Sequence, residues 1–161
     1  MNYVNIFLAV GILLAGGLIV KRLMGMVSEG IAGEQAAAFA YTDISGETDD
    51  LFETDSYDHI TLLVFQASCS HCRDIIPTWN ALASGHDGEY VGLSISPQEE
   101  TLIFMSDNNT HFPVILVGTS FLAGYHLSGT PSSVTIKRGI IDRIVVGSPN
   151  NEDLSYLNEL R

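Results

Sequence analysis

The hydrophobic positions form one long apolar run at the start of the chain, followed by shorter apolar segments. Residues 6–20 contain no polar side chain, and Val4 extends the run to seventeen positions interrupted by one asparagine. A helix that spans a bilayer needs about 20 apolar residues, and about 17 is near the lower limit. Lys21 and Arg22 follow the run and are suited to the membrane interface. The pattern predicts a membrane anchor over residues 1–22.

Two other interpretations fit this run less well. A cleaved signal peptide has basic residues before its apolar core, and here no Lys or Arg precedes the run. A buried core helix would show helical periodicity, which the run lacks. After the anchor, residues 23–36 contain glycine and have no strong periodicity, which predicts a linker. The remaining residues, 37–161, have the length of one folded domain.

Beyond the linker, strand-like runs alternate with segments of helical spacing. The run at 59–66 is apolar and rich in β-branched residues, which is typical of a strand buried on both faces. Alternation of strand and helix implies parallel strands with crossover helices, and a closing hairpin makes the sheet mixed. The predicted elements are a strand or loose hairpin at 37–52, a strand at 59–66, a helix at 73–83 kinked by Pro77, a strand at 90–95, a helix at 97–109, a short strand at 112–117, a hairpin of 133–137 with 140–146, and a terminal helix capped by Asn151.

The charge of the chain is strongly acidic. Nineteen acidic residues against seven basic ones give a formal net charge of −12. Nucleic acid is therefore not an expected partner, because its binding requires a basic surface. The acidic cluster at 47–58 is most simply a solvated surface, and we assign no site to it.

Cys69 and Cys72 are the two cysteines of the chain, and two residues separate them. A structural zinc site normally takes four ligands, often from two such pairs, and the sequence has no second pair. The five histidines are scattered, so no metal site is predicted. A structural disulfide across so short a loop would stabilise little. A C-x-x-C pair beside a βαβ pattern is typical of a redox dithiol.

The predicted position of Cys69 favours the redox interpretation. A buried strand gives way to a helix there, so the free N–H groups of the first turn and the helix dipole favour the Cys69 thiolate. The thiolate is the attacking species in disulfide exchange. Ser70 and His71 lie between the cysteines and are the candidates for tuning this pKa, His71 through positive charge. Cys72, one turn into the helix, would be shielded and suited to resolving a mixed disulfide.

The chain from about residue 37 to 161 resembles the thioredoxin-fold domains of membrane-anchored, extracytoplasmic thiol–disulfide proteins, the TlpA/ResA-like group and its MauD-like branch. The sequence C-S-H-C is followed by Pro77, five residues after the second cysteine, as in that family. The segment 112–147 resembles the family's passage from an FPV strand through a G-x-P turn into the closing hairpin. Gly139 and Gly147 stand at the family's hairpin and strand-end glycines.

The resemblance implies an α/β thioredoxin fold and a set of roles for matching residues. Pro131 would be the family's cis-proline, packed against the cysteines, and Thr130 would offer backbone hydrogen bonds to a bound substrate. Cys69 and Cys72 would exchange disulfides with a protein client and with a second redox partner. No dissociable cofactor is implied.

Three positions modify this expectation. Ser68 stands where the family usually has an aromatic residue before the first cysteine. Leu63 stands where thioredoxin carries a buried acid, so the usual proton acceptor for Cys72 is missing, which argues against an efficient general reductase. His71 occupies the slot of the histidine in the C-P-H-C motif of the periplasmic oxidant DsbA, whose thiol pKa is about 3.5.

The two indications of membrane topology conflict. Lys21 and Arg22 lie on the domain side of the predicted anchor, and the positive-inside tendency would place that side in the cytoplasm. The family resemblance places the domain on the extracytoplasmic side. We expect the extracytoplasmic side, because two charges beside a single short anchor constrain topology only weakly. A cytoplasmic domain would meet a reducing thiol pool and would work as a reductase.

Three alternatives to an exchange enzyme stay open. A copper-handling protein of the Sco type is also anchored and thioredoxin-like, but it spaces its cysteines by three residues and adds a distant histidine, for which His111 or His126 could be recruited. A peroxidase is disfavoured because no threonine lies three residues before Cys69. A non-catalytic, anchored docking domain predicts that replacing Cys69 leaves the biological role intact.

Overall fold

The computed structural model describes residues 31–50, 58–84 and 89–160, with the side chain of residue 50 excepted. The predicted anchor at 1–22 and the first part of the predicted linker lie outside these residues. No helix in the described ranges combines the length and the apolar character needed to cross a bilayer.

The described residues form seven strands and four helices, in the mixed order that the hydrophobic pattern predicts. The strands are β1 (Ala40–Asp43), β2 (Thr48–Asp50), β3 (His59–Phe65), β4 (Tyr90–Ser94), β5 (Val114–Leu116), β6 (Ser132–Lys137) and β7 (Ile140–Val146). The helices are α1 (Ser70–Ala83), α2 (Gln98–Asp107), α3 (Ser120–Gly124) and α4 (Asn151–Glu159).

All seven strands lie in one mixed sheet with the order β2-β1-β5-β4-β3-β6-β7. The strand β3 pairs in parallel with β4, and β4 with β5, as expected of strands joined by crossover helices. The strands β6 and β7 form the predicted antiparallel hairpin, and β6 pairs antiparallel with β3. The prediction of a mixed sheet is confirmed.

Burial on both faces of β3 explains its continuous apolar sequence. Ile60, Leu62 and Val64 belong to one apolar cluster, with side chains of α3 and its flanking turn. Leu63 and Phe65 belong to a second cluster, with side chains of α1, α2 and α4. Successive side chains of a strand point to opposite faces, so a strand covered on both faces is buried at nearly every position, and the buried hydroxyl of Thr61 is paired with Thr135 Oγ1 at 3.2 Å.

The terminal helix begins one residue earlier than the sequence predicted. Its cap is Asn150, whose side chain accepts hydrogen bonds from the N–H groups of Glu152 and Asp153. The Asp153 carboxylate accepts from the Asn150 N–H in return, which completes a capping box. Asn151, the predicted cap, is the first helical residue.

The segment at 31–36, the end of the predicted linker, makes contacts with the β6–β7 hairpin. Ile31 is buried, and Gln35 forms a bridge with Ile140. The Ala36 N–H donates to the Gly139 carbonyl at 2.7 Å. Contacts of the folded unit therefore begin upstream of residue 37, where the sequence predicted the domain to start.

Candidate functional site

The candidate site lies at one end of the sheet, which the register of β3 and β6 defines. Val64, near the end of β3, pairs with Ser132, the first residue of β6. The loop that follows β3 and the loop that precedes β6 therefore lie at the same end of the sheet. This register brings the cysteine segment close to the Thr130–Pro131 turn.

The loop between β3 and α1 is held by hydrogen bonds. The Ala67 N–H donates to Ser96 Oγ at 2.9 Å, and the Cys69 N–H donates to the Gln66 carbonyl at 3.1 Å. Ser96 is itself placed by its N–H, which donates to Ser94 Oγ at 3.2 Å. The turn that delivers Cys69 to the start of the helix is thus tied to the neighbouring strand β4.

Cys69 is the N-cap residue of α1. Its backbone is extended, and its sulfur accepts a hydrogen bond from the Cys72 N–H at 3.3 Å. A cap side chain takes the place of the missing intrahelical partner of that N–H group. The same sulfur lies 3.5 Å from the Thr130 carbonyl oxygen, to which the protonated thiol can donate. The two thiols are not joined by a disulfide.

The pKa of the Cys69 thiol lies below its ordinary value. Partial burial acts to raise this pKa, but hydrogen bonds to the sulfur outweigh it. These bonds come from the side chain and the N–H of Cys72, from the Thr130 side chain and from the His71 N–H. Donors directed at the sulfur stabilise the negative thiolate more than the neutral thiol.

Cys72 has the opposite environment. It is fully buried among side chains of the α1, α2 and α4 layer. Burial, followed by its hydrogen bond to Cys69, raises the pKa of Cys72 to about 12. Cys69 is therefore the half-exposed sulfur that ionises first, and Cys72 is held as a protonated thiol at neutral pH.

The Thr130–Pro131 peptide bond is cis, and Pro131 is buried directly before β6. The Pro131 carbonyl accepts from the Gly147 N–H at 2.7 Å, and Ser132 Oγ donates to the Gly129 carbonyl at 2.6 Å. These bonds fix the turn on both sides. Of the sequence-predicted pair, Thr130 lies at Cys69 through its carbonyl oxygen, and packing of Pro131 against the cysteines stays a prediction.

Ser70 and His71 are exposed in the first turn of α1. The N–H of His71 is one of the groups that lower the pKa of Cys69. A charge effect of the His71 imidazole, which the sequence suggested, stays a prediction. Tuning by the Ser70 hydroxyl also stays a prediction.

The histidines proposed for a copper site are not gathered at the cysteines. The N–H of His111 donates to Asn80 Oδ1, three turns along α1 from Cys69. His126 is an exposed residue of positive φ after α3. Within the described ranges, no three His, Cys, Asp or Glu side chains are grouped as metal ligands.

The sequence did not predict a network of buried hydroxyl groups between β4 and α2. Ser94 Oγ lies 2.7 Å from Thr101 Oγ1, and both side chains are buried. Thr101 Oγ1 also donates to the Pro97 carbonyl, so this network connects β4 with the start of α2. The only sequence signal was polar residues within buried segments. Leu63, by contrast, is fully buried where thioredoxin has an acid.

No protein-family model matches the chain. No curated protein resembles it in sequence. Solved structures are similar in fold. A proposed protein disulfide isomerase from Bacteroides thetaiotaomicron superposes with a TM-score of 0.68 at 21% identity, covering 80% of this chain and 87% of that chain. The described chain has a thioredoxin fold.

Two further structures have the same fold. The thioredoxin domain of a thiol-disulfide oxidoreductase from Bacteroides vulgatus gives a TM-score of 0.64 at 19% identity, covering 80% of this chain and 95% of that one. A secreted disulfide oxidoreductase from Mycobacterium tuberculosis gives a TM-score of 0.59 at 17% identity, covering 75% of this chain and 92% of that chain. At these identities the likeness establishes the fold, and the chemistry must be argued from the residues.

Proposed function

We propose that this protein is a thiol–disulfide oxidoreductase that exchanges disulfides with a protein client through Cys69 and Cys72. One observation carries the proposal: Cys69 caps α1 with a half-exposed sulfur of lowered pKa, and Cys72 lies buried behind it. A structural thiol pair would have no need for this asymmetry. The similar structures carry the names of disulfide exchange enzymes, which agrees with this chemistry.

The exchange proceeds in two steps. The Cys69 thiolate attacks one sulfur of a client disulfide, which forms a mixed disulfide and releases the other client sulfur as a thiolate. Cys72 then loses its proton and attacks Cys69 Sγ, and the first client sulfur leaves. Two electrons pass to the client, whose sulfurs end as thiols, and the protein ends with a Cys69–Cys72 disulfide. The reverse sequence oxidises a client dithiol.

Thr130 and Pro131 are proposed to frame the client groove. The Thr130 carbonyl lies 3.5 Å from Cys69 Sγ, so a client backbone bound along this turn would hold its sulfur next to Cys69. A backbone hydrogen bond of this kind is independent of client sequence. The turn would therefore orient the reaction without selecting the client.

A trapping experiment tests the proposal. A Cys72→Ser variant cannot resolve the mixed disulfide, so it should accumulate a covalent complex that dithiothreitol releases. A Cys69→Ser variant is the matched control, and it should form none because the buried Cys72 is inaccessible. Equal trapping by the two variants, or reaction no faster than that of free cysteine at the same pH, would contradict the proposal.

The cellular setting is a further part of the proposal. We propose an anchored protein of the TlpA/ResA-like type, single-pass through residues 1–22, with its domain on the extracytoplasmic side. One similar structure is described as secreted, and the apolar run at the start of the chain is suited to an anchor. Fractionation with protease protection of intact cells tests it, since a cytoplasmic domain would stay protected until lysis.

The direction of electron flow follows from the reduction potential of the dithiol. A lowered pKa at Cys69 stabilises the reduced form, which favours an oxidant, as in DsbA. Redox titration against glutathione measures this potential. Copper titration of the reduced domain tests the Sco-type alternative, for which tight stoichiometric binding would be required.

A further inference from the structure

A cleft opens beside the reactive sulfur, between the start of α1 and the exposed face of α2. Its volume is about 220 Å³, and it begins at Ala67 and Ser68, directly before Cys69. Its opposite side runs along α2 from Glu100 to Asp107. The cleft therefore lies where the chain on one side of a client cysteine would pass.

The α2 side of the cleft is apolar in the middle and acidic at both ends. Glu100 and Asp107 are seven residues apart, which is about two helical turns and about 10 Å, and so they lie on one face. Ile103 and Phe104 fall between them on the same face. The Ile103 side chain is 56% exposed, whereas Phe104 is 4% exposed and stacks on Phe65 at 5.1 Å between ring centroids.

The charged groups of this cleft have no ion-pair partner among the described residues. Within the part of the chain that the structure describes, Glu100, Asp107 and Arg73 take part in no salt bridge. Lys137 of β6 and Arg143 of β7, by contrast, each lie 3.0–3.9 Å from carboxylates. Two free carboxylates around an exposed apolar side chain are suited to a ligand with a long aliphatic stem and a cationic end.

We propose that this cleft selects clients by a lysine or arginine side chain near the reacting cysteine. The stem would lie on Ile103, and the cationic end would pair with Glu100 or Asp107. At about 3.3 Å per extended residue, the basic residue would stand about two to four positions from the client cysteine. This inference rests on the proposed exchange function and adds the client chemistry that the Thr130–Pro131 turn, which contacts backbone, does not select.

Substitution of Arg73 gives a second test of the proposal, with an expected effect opposite to that of removing a carboxylate. It lies on the α1 side of the same cleft, so its guanidinium repels a cationic client side chain and attracts an acidic one. Removing a carboxylate should therefore weaken the preference for a basic client. Removing Arg73 should strengthen it.

The experiment uses two short peptides that differ at one position three residues from a single cysteine, with lysine in one and glutamate in the other. Each cysteine carries mercaptoethanol as a neutral mixed disulfide. The reduced protein consumes this disulfide, releasing peptide thiol and mercaptoethanol as Cys69 and Cys72 become oxidised. Chromatography gives the rate for each peptide, and the ratio of the lysine rate to the glutamate rate is the readout.

For the unmodified protein the ratio should be about two- to fivefold at low salt, within the range expected of exposed ion pairs, and should fall as salt rises. The double variant Glu100→Gln/Asp107→Asn should bring it close to one. Arg73→Gln should raise it. The control Glu99→Gln/Glu159→Gln makes the same change of net charge at exposed carboxylates outside the cleft, and should keep the ratio.

A ratio near one in the unmodified protein would overturn the inference while leaving exchange intact. So would an equal loss of preference in the control double variant, since the effect would then come from overall charge. Failure to consume either peptide faster than free cysteine does would instead overturn the exchange function, and this inference with it.

Discussion

The two ends of the central sheet are built in opposite ways. At the start of β3, His59 Nε2 lies 3.2 Å from Glu89 Oε2, and Lys137 Nζ lies 3.0 Å from Asp142 Oδ2. Tyr156 donates to the Asp142 carboxylate, and the Lys137 ammonium lies 5.0 Å from the centre of its ring. Lys137 and Asp142 are paired with each other and both contact Tyr156 of α4, so this cluster serves to hold α4 on β6 and β7.

The end at which β3 terminates carries one half-exposed sulfur, that of Cys69 at the start of α1. Cys69 receives backbone and side-chain hydrogen bonds that favour its ionised form, while its surface stays open. A group that is stabilised in its reactive form and left accessible is suited to chemistry. The contrast teaches that the lowered pKa of Cys69 comes from hydrogen-bond donors arranged around one atom, whereas the Lys137–Asp142 ion pair at the other end supplies attachment.

The largest expected effect is on the rate of disulfide exchange, and it compares a substitution at each end of the sheet. Cys69→Ser should lower the rate of disulfide exchange to that of buffer, because the attacking sulfur is gone. Asp142→Asn, at the opposite end, should keep the rate of the unmodified protein. Reduction of a model disulfide followed at saturating dithiol measures both. A large loss of exchange in Asp142→Asn would show that the charged end takes part in the chemistry.

The second prediction concerns pH and compares the two sulfurs. Because the pKa of Cys69 is lowered from 9.0 and that of Cys72 is raised to about 12, the Cys69 thiolate forms at lower pH than a free cysteine thiolate, and the Cys72 thiolate forms last. Iodoacetamide should therefore label Cys69 alone near neutral pH. Mass spectrometry of the two cysteine peptides across pH measures this, and similar labelling profiles would refute it.

The third prediction tests the support beneath the reactive end. Ser96→Ala removes the acceptor of the Ala67 N–H, whose bond is 2.9 Å long. Leaving a half-buried donor unsatisfied should lower the free energy of unfolding by about 1–2 kcal/mol. The rate of exchange should fall because the Cys69 loop is less well placed. Urea unfolding and exchange kinetics measure the two effects, with Ser155→Ala on the exposed side of α4 as the control.

The smallest expected effect lies at the charged end. The hydrogen bond from Tyr156 is the main cause that lowers the pKa of Asp142 from 3.8. A carboxylate whose pKa is lower in the folded state contributes stability above its unfolded pKa, and this contribution is lost as the pH falls through the folded value. Tyr156→Phe should cost about 1 kcal/mol or less at neutral pH, because the carboxylate is largely exposed.

Urea unfolding at neutral pH and at a pH well below 3.8 checks this prediction. The difference between the variant and the unmodified protein should disappear at the lower pH, where Asp142 is protonated in both. A difference that persisted unchanged would mean that the tyrosine hydroxyl stabilises the fold without the carboxylate.

Local patterns predicted most of the elements. The strands at 59–66 and 90–95 and the closing hairpin are confirmed, because side chains buried on one or both faces impose their periodicity on the sequence. The cap of α4 was predicted one residue late, since Asn150 and Asn151 are chemically alike and only the capping box decides between them. The short helix α3 was not predicted, because five residues hold too little periodicity.

The sequence by itself determined the element types, the acidic character, and a C-x-x-C pair at a strand–helix junction. Each of these depends on neighbouring residues. The tertiary structure decided what surrounds the sulfur and its loop. The Thr130 carbonyl is 61 residues from Cys69 in the chain, and Ser96, which accepts the hydrogen bond of the Ala67 N–H, is 29 residues from Ala67. Such contacts depend on the register in which β3 pairs with β6 and with β4. Hydrophobic periodicity does not specify this register, because a strand that shifts by two residues keeps the same face buried.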